Sequence, residues 1–149
     1  MTTIFEALRH DHDEQRRLLE RVAATEGDSE ERRELFEQLR VELEAHAAIE
    51  ERVFYSVLLG EKMTREKAAH SIGEHEEQRD ALVELVDTDF SSPGWLTKFG
   101  TLRHEVEHHL EEEEQEVFQL AGRVLDEGQK TAMAEHFEKE KRKAVAERS

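Results

Sequence analysis

Apolar residues recur at intervals of three and four along most of the chain, which is the period of an amphipathic helix. Four long segments carry such a stripe, and polar turn residues separate them. A fifth, weaker stripe follows and is rich in lysine and arginine. The predicted helices run from Thr3 to Thr25, from Glu30 to about Leu59, from Thr64 to Asp89, over about residues 93–125, and from Gln129 to Arg148.

The connections between these segments carry residues that begin helices. Ser29 can cap the second helix through its side-chain oxygen, and Ser92 with Pro93 can begin the fourth. Short connections make neighbouring helices antiparallel. The chain is therefore predicted to be all-α: an antiparallel up-and-down four-helix bundle over residues 1–125, with an appended C-terminal helix over residues 126–149.

Composition agrees with long solvated helices and narrows the possible partners. Charged residues make up 39% of the 149 residues, and the net charge of −16 repels phosphate backbones and anionic membranes. We therefore expect no nucleic-acid or membrane partner. No apolar run approaches the roughly 18 residues of a membrane span and no signal-peptide pattern is visible, so a cytoplasmic location is expected. Cysteine is absent, so any metal ion must be held by nitrogen and oxygen ligands.

The two halves of the predicted bundle repeat one another. Three pairs of polar residues are each 63 positions apart: His12 and His75, His46 and His109, Glu50 and Glu113. Histidine occupies only 9 of the 149 positions, so two histidine matches in one register indicate two copies of one helical hairpin. The remaining histidines have no polar counterpart and are expected at the surface or behind the ligands: His10, His70, His104, His108 and His136. Whether His108 joins the site stays open.

The repeated residues stand where an ordinary bundle would place leucine or isoleucine. Burying a carboxylate without a partner costs several kcal/mol, so these positions require compensation. A spacing of four places each repeated histidine and glutamate on one helix face, and all six lie at similar heights in the bundle. We therefore predict a metal site with six ligands: His12, His46, Glu50, His75, His109 and Glu113.

The donor set suits two ions better than one. Imidazole binds iron, zinc, copper or nickel, and a carboxylate can bridge two ions. Four imidazoles and two bridging carboxylates leave positions that a bridging oxo or hydroxo group and an exchangeable small ligand can fill. Zinc in place of iron, and a metal-free polar network, are the alternatives.

The order H…HxxxE…H…HxxxE resembles the hemerythrin-like, or HHE cation-binding, family over residues 3–121. Flanking residues also resemble that family: Asp11, Glu51, Tyr55, Glu114 and Phe118. The resemblance implies a cofactor of two non-haem iron ions bridged by Glu50 and Glu113. A ferritin-like site would need Glu-x-x-His pairs, which do not fall on these stripes.

The resemblance implies a protein that binds or reacts with O2, hydrogen peroxide or nitric oxide. Oxygen-carrying members have an extra histidine one turn from the third-helix ligand, where this chain has Ser71 and Arg79. That difference favours peroxide chemistry or sensing over oxygen carriage, and an enzyme of this kind would be catalase-like. Iron sensing or storage, or a metal-free helical interaction module, are the alternatives. By helical angle, Tyr55 points away from His46 and Glu50, which favours a packing role, and whether it joins the site stays open.

Overall fold

The computed structural model describes residues 1–147, which form helices and contain no strand. Two of the long helices contain a π-helical segment, which is Glu51–Tyr55 in one and Glu113–Val117 in the other. The helices are α1 (Ile4–Ala23), α2 (Glu30–Glu50), α3 (Ser56–Leu58), α4 (Arg65–Val86), α5 (Trp95–Glu112), α6 (Phe118–Val124) and α7 (Glu127–Glu147). The all-α bundle with an added C-terminal helix is confirmed. The predicted end of the fifth helix, Arg148, lies outside the described residues.

Local sequence explains where the helices begin. Thr3 caps α1 in a reciprocal arrangement with Glu6, and the Ser29 side chain accepts a hydrogen bond from the backbone of α2, as predicted. The predicted cap at Ser92 is wrong, because α5 begins only after Gly94. Ser92 instead accepts a hydrogen bond from the backbone N–H of Gly94, which closes a turn before the helix.

The apolar core consists of two clusters, one toward each end of the bundle. One includes Ile4, Leu8 and Phe54, and the other includes Leu39 and Phe99. The buried histidines and glutamates of the predicted site belong to neither cluster. The site therefore occupies a polar region of an otherwise apolar interior.

The C-terminal helix α7 packs against α1 and α2. It buries Met133, Ala134 and Phe137 in the cluster that contains Ile4. The separation of the chain at residue 125 into a bundle and an extension stays a prediction. Within residues 1–147, no helix is both long enough and apolar enough to cross a membrane.

Candidate metal centre

The structure brings the six predicted residues together in the interior. Each of the four long bundle helices contributes one histidine, and the glutamates lie at the start of the two π segments. None of the six is more than 3% exposed: His12, His46, Glu50, His75, His109 and Glu113. Positions separated by up to 101 residues in sequence thus share one buried cluster.

The inner nitrogen atoms of the histidines face the two glutamates. His12 Nε2 lies 2.9 Å from Glu113 Oε1, and His109 Nε2 lies 3.8 Å from Glu113 Oε2. The Nε2 atoms of His46 and His75 lie 3.5 and 3.3 Å from Glu50 Oε1. Distances of this size are typical of atoms that share a metal ion as ligands.

The cluster has two ends, each with a pair of adjacent imidazoles. His12 and His46 form the α1–α2 end, with ring centroids 5.2 Å apart. His75 and His109 form the α4–α5 end, with ring centroids 4.8 Å apart. Donor atoms of both pairs lie within 4.8 Å of Glu50 donor atoms, so Glu50 is shared by the two ends.

A carboxylate holds the outer nitrogen of every one of these histidines. The Nδ1 atoms of His12, His46, His75 and His109 lie 2.7 to 2.8 Å from oxygens of Glu114, Asp11, Glu51 and Glu74, in that order. Because a carboxylate can only accept, Nδ1 carries a proton, and Nε2 is the nitrogen that faces the centre and is available to a metal ion. Carboxylates in this position orient metal-binding imidazoles and raise their basicity.

These outer carboxylates follow the internal repeat. The pair Asp11–His46 recurs as Glu74–His109, and both members are displaced by 63 residues. Glu51 and Glu114 are related in the same way. The motif pattern identified three of these carboxylates only as flanking residues and omitted Glu74. Comparing acidic residues across the repeat would have found all four.

The two inner glutamates have opposite pKa shifts. Burial alone would raise the pKa of Glu50, but the charges of His46 and His75 outweigh it and hold that pKa well below its usual value. Burial raises the pKa of Glu113 well above its usual value, and the negative charge of Glu50 adds to this. Two adjacent carboxylates resist carrying both charges unless a cation lies between them.

The inner donor atoms lack partners within the protein. The Nε2 atoms of His12, His46 and His109 and both oxygens of Glu50 and Glu113 are buried, without a hydrogen-bond partner among residues 1–147. Leaving buried polar atoms without a partner is costly in a low-dielectric interior. A metal ion accepts electron density from all of them at once. The residues present therefore fit a nitrogen- and oxygen-ligated metal.

The two π segments adjoin the shared glutamates. One begins directly after Glu50 and the other begins at Glu113. Such segments are rare and often mark functional sites. Tyr55 ends the first of these segments, and its ring centroid lies 5.9 Å from that of His75. His75 lies on another helix, so this contact leaves the expectation that Tyr55 points away from His46 and Glu50 as a prediction.

The other five histidines lie at the surface, as expected. His10, His70, His104, His108 and His136 are all exposed. The His108 imidazole lies 3.3 Å from Glu112 and outside the buried cluster. The repeat therefore separates the buried histidines from the exposed ones without structural information.

Comparison with known proteins agrees with the motif. The model of the hemerythrin HHE cation binding domain matches residues 3–121. Rv2633c of Mycobacterium tuberculosis and Mb2666c of Mycobacterium bovis are each 29% identical to this chain over 115 residues. The matched region is 76% of this chain and 68% of each relative. The crystal structure of an HHE cation binding domain-containing protein from Mycobacterium kansasii, a homologue of Rv2633c, has a TM-score of 0.83 and 26% identity. The structural match covers 98% of this chain and 91% of the Mycobacterium kansasii chain, so the similarity extends over α7.

Proposed function

Because the chain belongs to the hemerythrin HHE cation-binding domain family, we propose that it is a non-haem di-iron protein that binds or reacts with O2, hydrogen peroxide or nitric oxide. The observation that carries the proposal is the set of buried inner donor atoms without partners. We expect iron rather than zinc, and a cytoplasmic location stays a prediction.

In this proposal the two ends of the cluster each hold one ion. His12 and His46 would hold one, His75 and His109 would hold the other, and the two glutamates lie between the two histidine pairs. Iron supplies the electron-transfer chemistry that amino-acid side chains lack. The protein fixes the imidazoles through their outer carboxylates and excludes bulk water from the ligands.

Burial limits the substrate to a very small molecule. His12, Glu50 and Glu113 have no exposed surface, so a bulky substrate cannot contact them without opening the bundle. Ser71 is buried one turn before His75, where an extra histidine would complete the ligands of an oxygen carrier. A position without that histidine stays open to exchange. This difference supports peroxide chemistry or sensing over simple oxygen carriage.

Metal analysis and two assays on the purified chain test the proposal. We expect two iron ions per chain after growth with iron. Evolution of O2 from added hydrogen peroxide would support a catalase-like enzyme. A reversible optical change with O2 or nitric oxide, without turnover, would support a binding protein. Zinc as the only bound metal, together with no response in either assay, would contradict the proposal.

Iron sensing is the second candidate, and the placement of the ligands favours it. The cluster joins four helices, so an ion bound there stabilises the folded bundle relative to the unfolded chain. A sensor should show a large rise in melting temperature with iron and no reaction with peroxide or oxygen. The same purified protein distinguishes the two candidates.

A further inference from the structure

The internal repeat places two equivalent grooves on the bundle, and α7 fills only one. In the groove between α1 and α2, Ala7 lies beside Phe137, and Ala45 and Ile49 lie beside Ala144. The three bundle residues, displaced by 63, become His70, His108 and Glu112 in the groove between α4 and α5. Small or apolar residues thus underlie the covered groove, and metal-binding residue types line the open one.

In the open groove three of these side chains converge. His70 Nε2 lies 3.3 Å from Glu112 Oε1 and 3.5 Å from Glu74 Oε2. Ligand atoms of His70, Glu74 and Glu112 all lie within 4.8 Å of one another. His108 Nε2 lies 3.3 Å from the other oxygen of Glu112 and holds that carboxylate in place.

In the covered groove, a cation lies beside the repeat equivalent of Glu74. There Lys141 Nζ lies 2.9 Å from Asp11 and 2.7 Å from Glu42. The repeat equivalents of Asp11 and Glu42 are Glu74 and Glu105. Within residues 1–147, neither equivalent has a lysine or arginine within ion-pair distance, and Glu105 Oε2 is buried without a hydrogen-bond partner.

We propose that His70, Glu74 and Glu112 form a surface site for a divalent transition-metal ion, separate from the buried centre. One imidazole and two carboxylates suit such an ion, and water can complete its coordination. A cavity of about 160 Å³ beside the site, lined in part by Glu74 and His108, has room for that water. Glu74 joins the two sites, because its Oε1 holds His109 Nδ1 at 2.8 Å while its Oε2 faces the groove.

Zinc binding to the iron-loaded full-length chain tests this site. Equilibrium dialysis against Zn²⁺, followed by elemental analysis of both metals, should give one zinc ion per chain that H70A and E112Q do not retain. Loss of a ligand should weaken zinc binding by about 100-fold or more. H108A, which removes only the contact between His108 and Glu112, should weaken it by about tenfold. The difference between wild type and H70A reports the surface site whichever metal fills the centre.

His136 offers a matched control. Its side chain is 58% exposed, against 56% for His70, and it also lies beside a glutamate four residues later, Glu140. Glu140 already contacts Arg52 and Lys143, so H136A should leave zinc binding unchanged. Zinc binding that is equal in wild type and H70A would overturn the proposal. Zinc that appears only as iron is lost would assign it to the buried centre and overturn the proposal as well.

Discussion

The two ends of the buried cluster come from one repeated hairpin, yet the rest of the chain surrounds them differently. At the α1–α2 end, the Phe137 ring of α7 meets His46 edge-on, with centroids 5.6 Å apart. Lys141 of α7 binds Asp11, the carboxylate that holds His46 Nδ1. At the α4–α5 end, the matching carboxylate, Glu74, faces an open groove. One duplicated set of side chains thus has two environments.

The repeat-equivalent histidines also differ in pKa, because different charged groups surround them. Burial opposes a charge on His46, but Glu50 and Asp11 outweigh it and raise the pKa of His46 to about 10. Burial lowers the pKa of His109, and the charge of His75 beside it adds to this despite the hydrogen bond to Glu74. Identical ligand types therefore differ in how tightly they hold a proton. The repeat sets the ligands, and their surroundings set the balance of charge.

The largest effect is expected where the two ends meet, at the shared glutamates. Glu50→Ala and Glu113→Ala should each lower bound metal well below two ions per chain, because each removes oxygen ligands from both ends. Elemental analysis of the purified variants measures this. The exposed His104→Ala variant is the control and should keep a normal metal content. Two ions retained in either glutamate variant would mean that the ends do not depend on both carboxylates.

The next effect concerns the helix that covers only one end. Phe137→Ala should cost about 3–5 kcal/mol in the free energy of unfolding, because a fully buried ring is lost from the α1–α2 end. Urea unfolding of the full chain measures it. The exposed Val83→Ala, on the uncovered α4, should stay within about 0.5 kcal/mol of wild type. Equal stability of the two variants would contradict the docking of α7.

A smaller effect is expected from the ion pair between α7 and α1. Lys141→Met should lower the free energy of unfolding by about 2 kcal/mol. The loss is smaller than for a fully buried ion pair, because the Lys141 side chain keeps some exposure. Burial alone would raise the pKa of Asp11, but His46 and Lys141 outweigh it and lower that pKa. The ion pair therefore stabilises the fold above the unfolded pKa of about 4, and this contribution is lost as the pH falls through the lower folded value.

Urea unfolding of wild type and Lys141→Met at several pH values checks this prediction. The difference between them should be constant near neutral pH and shrink in acid, first as Glu42 is protonated, because burial raises its pKa, and then as Asp11 is protonated at lower pH. The exposed Lys143→Met, whose Nζ lies 3.8 Å from Glu140, should cost no more than about 0.5 kcal/mol. A difference that grows in acid would rule out the ion pair as its source.

The helical period of the apolar residues and the internal repeat were sufficient to predict the bundle and the convergence of the six buried residues. The bundle and the cluster both follow from regular spacing along the sequence. The π segments were missed, since one wider turn leaves the apolar stripe nearly unchanged. The docking of α7 was missed for a different reason. Its apolar face is thin, and the contact between Lys141 and Asp11 joins residues 130 positions apart. No local pattern encodes that contact, so the sequence did not indicate which end would be covered.

The smallest effect is expected at Tyr55. This residue lies beside a predicted ligand and differs from its repeat equivalent by a single hydroxyl group. Tyr55 lies against His75, and its repeat equivalent, Phe118, stacks on His12 at 6.1 Å. The Tyr55 hydroxyl is buried without a hydrogen-bond partner in the described part of the chain.

Tyr55→Phe makes the two ends alike, and it should change the free energy of unfolding by less than about 1 kcal/mol, because no hydrogen bond is lost. Metal content and the absorption spectrum of the iron-loaded chain should match those of wild type, as expected for a packing role. The unfolding measurement is made on metal-free and iron-loaded protein in parallel. A loss of stability confined to the loaded protein would mean that the hydroxyl has a partner at the centre, and the asymmetry of the surroundings would then extend to the ligands.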